Sequence, residues 1–165
     1  MPDSPSLDSE QLSAYFALME VAGLLRHAVE QQLRDEGDLS YVQFQLLARL
    51  ALDSPTGSER MTELADGVVY SRSGLTYQAG LLEKAGLVSR APSVEDERSV
   101  TVTVTDSGRE VIARVLPGHV EVLRQQLFST LSGAEARRLR DLLVPVRDHM
   151  RAAPPRSAGP RRRRG

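Results

Sequence analysis

The sequence predicts a mainly α fold with a small β-wing, and two observations carry that prediction. Apolar residues recur at helical spacing through most of the 165 residues, and three of these segments open with a capping box. Only residues 99–105 change period: Val alternates with Thr there, which is typical of a half-buried strand. A chain of this length fits one domain.

The first three helices are predicted from their start and stop signals. The capping box that begins at Asp8 opens a long amphipathic helix, which ends near Gly37. A second helix begins after Ser40 and stops before a run of turn-forming residues. Thr62 is the candidate cap of a short third helix over residues 63–67.

The fourth helix and the strands after it are the arrangement that suggests a function. Ser71 caps this helix and Gly86 ends it, and its inward stripe is Leu75, Ala79, Leu82 and Ala85. The gap of residues 67–70 before it has the length of a helix-turn-helix corner. Residues 87–91 and 99–105 form two strands, and the charged loop between them is the wing. A recognition-type helix followed by a β-wing is an arrangement that reads DNA.

Two further helices and two polar ends complete the chain. Asp106 caps a fifth helix, in which Pro117 predicts a bend, and Ser132 opens a sixth. Residues 1–8 are predicted to be a disordered lead-in, and residues 152–165 a disordered basic tail.

The charge distribution limits how the chain can bind a polyanion. The formal net charge is −1, but the tail from Arg151 holds six basic residues and no acidic one. Residues 1–150 therefore carry 15 basic and 22 acidic residues. Such a body is unlike a nonspecific polyanion binder, so any contact with DNA must be local.

Several other classes of protein and site are unsupported by the sequence. The absence of cysteine removes disulfides, thiolate metal sites and thiol redox sensing. The three histidines fall on three different predicted helices, and no phosphate loop, nucleophile elbow or catalytic carboxylate pair has a supporting context. We therefore expect no enzyme activity, no metal and no cofactor. Uninterrupted apolar runs are far shorter than the ~20 residues of a membrane span, so we expect a cytoplasmic protein.

The front of the fourth helix carries the chemistry expected of a DNA-reading helix. Its N-terminal N–H groups suit a phosphate, and three side chains there can hold one: Ser71, Arg72 and Ser73. The next turn can reach base edges or thymine methyls through Thr76, Tyr77 and Gln78. Tyr77 can equally bond a phosphate, and the sequence does not choose between them. The competing interpretation is a structural helix with a solvated front.

In this order, five segments resemble the multiple antibiotic resistance regulator (MarR) family. They cover most of residues 39–112: LSYVQFQLLARL at 39–50, MTELA at 61–65, SRSGLTYQAGLLEKAGLV at 71–88, DER at 96–98 and VTDSG at 104–108. Each motif is weak alone, and the order and spacing are fairly specific. The chain departs from similar sequences at Tyr77, where Arg is common, and at Gly80 and Leu81, where an Asp-Arg pair is common.

The resemblance implies an architecture and a set of site residues. It implies a single domain over residues 9–151, with dimerisation helices at 9–37 and 106–151 and a winged helix-turn-helix lobe at 40–105. It implies that Asp96 braces Arg98, which enters the minor groove. The competing interpretation is a solvated loop. It also implies a pocket for a small, often aromatic or phenolic ligand, with six candidate residues: Tyr15, Phe16, Met19, His27, Tyr41 and Phe44.

The resulting prediction is a homodimeric, sequence-specific transcriptional regulator that binds a pseudo-palindromic operator on double-stranded DNA. We expect a repressor released by a small ligand. One alternative is a ligand-independent regulator of the same fold, and another is a winged-helix protein-interaction module without DNA binding. The four arginines at 161–164 either add phosphate contacts or only solubilise the end of the chain.

Overall fold

The computed structural model describes residues 6–68, 72–93 and 99–152, and the side chain of Arg72 is not among them. The helices in this part of the chain are α1 Ser9–Gly37, α2 Tyr41–Ala48, α3 Met61–Gly67, α4 Arg72–Lys84, α5 Asp106–Gln126 and α6 Gly133–Ala152. The strands are β1 Ser58–Arg60, β2 Val88–Pro92 and β3 Val100–Val104. The chain divides into two compact units, residues 1–126 and 127–165. The predicted mainly α fold with a small β-wing is confirmed.

The sheet has three antiparallel strands in the order β1-β3-β2, whereas the sequence predicted only two. Val88 pairs with Val104, as the alternation of residues 99–105 led us to expect. The missed strand, β1, is three residues long and follows turn-forming residues, so it has no period of its own. It forms because β3 offers it a free edge, where Glu59 pairs with Val102.

The hydrophobic core lies in the first unit and is built by the C-terminal half of α1, by α2, α4 and α5, and by the strands. Leu75, Ala79 and Leu82 of the predicted α4 stripe are buried, while Ala85 is exposed. Ala85 lies beyond the end of α4, in the turn that leads to Gly86 (φ +74°), so it no longer follows the helical stripe. One face of α4 is therefore committed to the lobe.

Of three predicted helix starts, the structure confirms one and places the other two differently. The capping box at Asp8 is confirmed, with Gln11 N donating to its carboxylate at 2.7 Å. Thr62 is not the cap of α3: the helix begins at Met61 with Arg60 as N-cap, because β1 leads directly into it. Asp106 lies inside α5, and the hydroxyl of Thr105 accepts the helix N–H of Gly108 at 3.1 Å instead.

α1 is apolar and largely unburied along its first half. Every side chain from 9 to 24 is exposed, and the first buried one is Val29. By length and composition alone α1 could cross a membrane, which the count of uninterrupted apolar runs had not indicated. A helix of a soluble protein that packs against other protein surface can have the same length and composition. These features are therefore weak evidence for a membrane span.

The second unit contains α6, which begins at the predicted capping box. Ser132 N donates to Glu135 Oε2 at 2.8 Å, and Glu135 N donates to Ser132 Oγ at 3.3 Å. The helix continues through Pro145 to Ala152. It exposes an apolar row of its own, Leu142, Leu143, Val146 and Met150.

Candidate nucleic-acid interface

The front of α4 presents polar side chains to solvent because its back is buried. Ser73, Thr76 and Tyr77 are exposed, and Tyr77 is 65% exposed. Gln78 differs from them: it is half-buried, and its Oε1 atom is buried without a hydrogen-bond partner. The helix therefore exposes three of the four described reading candidates, and the amide oxygen of Gln78 is not accessible to DNA.

The remaining sequence candidates lie outside the described residues. Ser71 precedes the first described residue of α4, and Asp96 and Arg98 belong to the undescribed part of the wing. Arg72 is the first residue of α4, and its side chain is not described. Their roles at phosphate and in the minor groove stay predictions.

An ion pair that the sequence analysis did not single out joins α4 to the wing. Arg90 of β2 donates to Glu83 Oε2 from Nε at 2.9 Å and from Nη2 at 2.6 Å, and its backbone N donates to Oε1 at 3.2 Å. These bonds from Arg90 hold the pKa of the Glu83 carboxyl below its usual value, so it stays charged. The only signal in the sequence was a pair of opposite charges on either side of Gly86.

A surface hollow beside α4 gathers two cationic residues. Its volume is about 380 Å³, and it is lined by Arg60, Met61, Thr62, Thr76, Arg90, Ser99 and Val100. Arg60 comes from the start of α3 and Arg90 from β2, so only the folded sheet brings them beside Thr76. Glu83 balances the charge of Arg90, so the hollow offers hydrogen-bond donors beside Thr76 without a large local excess of positive charge.

The six ligand-pocket candidates do not share one location. Tyr15 and Phe16 form an edge-to-face pair on exposed α1, with ring centroids 5.2 Å apart, and Met19 is exposed near them. His27 is also exposed, and the guanidinium of the neighbouring Arg26 lies 5.3 Å from the ring of Tyr41. Tyr41 lines an open hollow of about 380 Å³ at the junction of α1 and α2.

The sixth candidate, Phe44, is a core residue that packs on His119 of α5. The ring centroids are 4.5 Å apart, Phe44 is buried, and Nδ1 of His119 is buried without a hydrogen-bond partner. Burial lowers the pKa of His119 from its ordinary value of 6.5, because the charged imidazolium loses hydration there.

Stability should therefore fall as the pH drops below about 6.5. The unfolded chain binds the proton at His119 before the folded chain does, so the loss develops between 6.5 and the lowered folded pKa and then levels off. Chemical denaturation between pH 7.5 and 5 measures it. His119→Gln should flatten the slope. Equal slopes for wild type and His119→Gln would contradict the assignment.

The described elements define a class of protein. A short helix, a second helix with a buried back and an exposed polar front, and an antiparallel sheet form a winged helix-turn-helix lobe, the architecture of DNA-binding regulators.

Comparison with known proteins gives the family. The profile of the SarA/Rot transcriptional regulators matches residues 28–115. PecS, an HTH-type transcriptional regulator of Dickeya dadantii (strain 3937), is 31% identical over 148 residues, which cover 90% of this chain and 88% of PecS. Sco3205, a MarR family regulator of Streptomyces coelicolor solved in complex with DNA, is 32% identical, with a TM-score of 0.84 and coverage of 90% and 92%. AbsC, from the same organism and family, is 28% identical, with a TM-score of 0.84 and coverage of 91% and 100%.

The chain belongs to the MarR family of transcriptional regulators. The resemblance found in the five sequence segments is thereby confirmed. The protein is a DNA-binding regulator of transcription and not an enzyme.

Proposed function

We propose that this protein is a cytoplasmic homodimer that represses transcription from a pseudo-palindromic operator and is released from it by a small ligand. The observation that carries the proposal is the exposed front of α4, with Ser73, Thr76 and Tyr77 outward and Leu75 and Ala79 buried behind them. A repressor needs no further chemistry, since a protein bound across a promoter excludes the polymerase.

The proposed DNA contacts come from two elements of each copy. Ser71, Arg72 and Ser73 hold a phosphate at the N-terminus of α4, and Thr76 and Tyr77 meet base edges in the major groove. Arg98, braced by Asp96, enters the flanking minor groove. The DNA complex of the relative Sco3205 supports this use of the fold. Gln78 is the weakest member of the predicted set, because its amide oxygen is buried.

The proposed dimer is supported by exposed apolar side chains on two helices. α1 exposes Leu12, Phe16, Leu18, Val21 and Leu24, and α6 exposes Leu142, Val146 and Met150. Exposed apolar surface of this extent marks protein interfaces. Two copies would place two α4 helices in successive major grooves, about 34 to 36 Å apart.

The proposed ligand changes the separation between the two α4 helices of the proposed dimer. A small aromatic or phenolic molecule that binds better to a dimer with the wrong spacing would release DNA through its differential affinity for the two states. The hollow beside Tyr41, at the junction of α1 and α2, is the described candidate for such a molecule. Its walls belong to α1, a proposed dimer helix, and to α2, which carries the lobe.

The test is to map the bound sites across the genome and then to footprint one of them. We expect two protected half-sites with two-fold symmetry; a bound promoter without such symmetry would contradict the proposal. On that fragment, Tyr77→Ala should weaken binding about tenfold and relax specificity at the contacted base. Lys84→Ala removes an exposed cation from the other end of α4 and should leave affinity unchanged, because DNA meets only the front.

A further inference from the structure

α3, the first helix of the helix-turn-helix pair, is short and depends on tertiary contacts. It has seven residues, of which Leu64 is fully buried and Met61 and Ala65 pack against the core. Isolated helices of this length are unstable in water, so tertiary contacts must hold it. Because α3 packs against α4, its placement affects where the reading helix lies.

The side chain of Arg49 contacts Glu59, in the strand that leads into this short helix, and Gly67, its last residue. Its Nε donates to Glu59 Oε2 at 2.6 Å, and Glu59 lies in β1, two residues before α3 begins. The same guanidinium lies directly over Gly67, the last residue of α3: a Cβ atom added there would overlap its Nη1. The ion pair is largely shielded, with side-chain exposures of 33% for Arg49 and 15% for Glu59.

The backbone around Arg49 explains why this side chain can reach both places. Arg49 begins a single π-type turn, Arg49–Asp53, closed by Ser54 N donating to Arg49 O at 3.0 Å. The next residue, Leu50, is fully buried, so the turn is fixed to the core. Glu59 is fixed as well, because it pairs with Val102 in the sheet. Single π-type turns inside helices often mark functional positions.

Gly67 permits the contact with Arg49 because it has no side chain. Its φ angle is not positive, as the positive-φ glycines among the described residues are Gly57 and Gly86. A side chain would therefore be tolerated by the backbone at 67, and the nearest obstacle to it is the guanidinium of Arg49. Because Gly67 has no side chain, the guanidinium of Arg49 can occupy the place where a Cβ atom would lie.

We propose that Arg49 is a positioning residue for DNA recognition. Through its ion pair with Glu59 and its contact with Gly67 it fixes α3, which packs against α4, and so it sets how α4 enters the major groove. The inference rests on the proposed function, because it needs α4 to be the reading helix. Arg49 itself touches no DNA in this mechanism, so its loss acts through the placement of α3.

The first test compares Arg49→Ala with the wild type on the footprinted operator. We expect affinity to fall about tenfold, since a hydrogen-bonded charged pair is lost. Amide hydrogen exchange in α3 should become faster, while the dimer and exchange in α5 stay as in the wild type. Arg124→Ala is the matched control, because it removes an equally short ion pair, with Glu121, on the exposed side of α5. Unchanged affinity and unchanged α3 exchange in Arg49→Ala would overturn the inference.

The second test uses the steric relation between the two residues. Gly67→Ala should displace the flexible end of Arg49 and weaken binding to the level of Arg49→Ala. The double variant Gly67→Ala/Arg49→Ala should be no weaker than Arg49→Ala alone, because the two changes remove the same contact. Effects that add in the double variant would overturn the inference.

Two further variants keep the test decisive if Arg49→Ala does not fold. Glu59→Gln keeps the side-chain volume and removes the charge. Arg49→Lys keeps the charge but lacks the planar guanidinium that reaches both Glu59 and Gly67. Both should lose affinity several-fold and speed exchange in α3; wild-type behaviour in both would overturn the inference. If the wild type itself binds no operator, the proposed function has failed. If the wild type binds and all these variants bind equally well, only the role of Arg49 has failed.

Discussion

Leu24→Asp is expected to separate the proposed dimer and to weaken operator binding by at least about a hundredfold. Leu24 is 67% exposed within the apolar face of α1. A carboxylate in a buried interface without a partner loses its hydration, which disfavours association strongly. Each separated copy then holds one half-site, and the affinity gained from binding two linked half-sites is lost.

Sedimentation and binding to full-site and half-site DNA measure this effect. The variant should sediment as a monomer and bind the two fragments equally, whereas the wild type should prefer the full site. Ser89→Asp adds the same charge at an exposed position of β2, outside α1 and α6, and should remain dimeric. Leu142→Asp should repeat the result from α6, where Leu142 is 71% exposed. A Leu24→Asp protein that remains a dimer would remove α1 from the interface.

Gly108→Ala is expected to lower the free energy of unfolding by about 2 kcal/mol. Gly108 is buried in the first turn of α5, where an added Cβ would overlap the carbonyl oxygen of Leu87 and lie 2.8 Å from Cγ2 of Val104. The Leu87 carbonyl cannot retreat easily, because it accepts the N–H of Thr105 at 3.1 Å. The overlap should outweigh the gain of up to about 1 kcal/mol that alanine brings inside a helix.

Gly80→Ala is the matched control for that change. Gly80 lies inside α4, outside the proposed dimer helices, and a Cβ there would be in ordinary contact with Arg90 Nη2 at 3.7 Å. The substitution should leave stability unchanged or raise it by up to about 1 kcal/mol. Denaturation at a fixed protein concentration compares the two variants, since the concentration of a dimer affects its apparent stability. Equal stabilities would show that α5 can shift away from the base of the wing.

The sequence predicted most elements that depend on neighbouring residues. The capping boxes at Asp8, Ser40 and Ser132 are local hydrogen-bond patterns, and the structure contains all three. The alternation of residues 99–105 likewise located β3. For the candidate site, the stripe of Leu75, Ala79 and Leu82 determined which face of α4 is buried. The order of the five segments was sufficient to identify the family.

Only the tertiary structure decided the features that join residues distant in sequence. β1 exists because β3 offers it an edge, and Arg90 meets Glu83 because the wing folds back on α4. The buried amide oxygen of Gln78 and the hollow beside Thr76 likewise follow from what surrounds α4. The period of a helix predicts which residues share a face, but not which side chains approach that face from other elements.

Gly86 and Gly67 show why the sequence predicts some features and only the tertiary structure reveals others. Gly86 ends a helix in a left-handed conformation, φ +74°, and a helix stop signal in the sequence predicts that. Gly67 has ordinary backbone geometry, and the nearest obstacle to a side chain there is a guanidinium from another helix. Local patterns thus determined the helices, the wing and the family of this protein. Packing between distant residues decided how α3 and α4 are held where DNA would meet them.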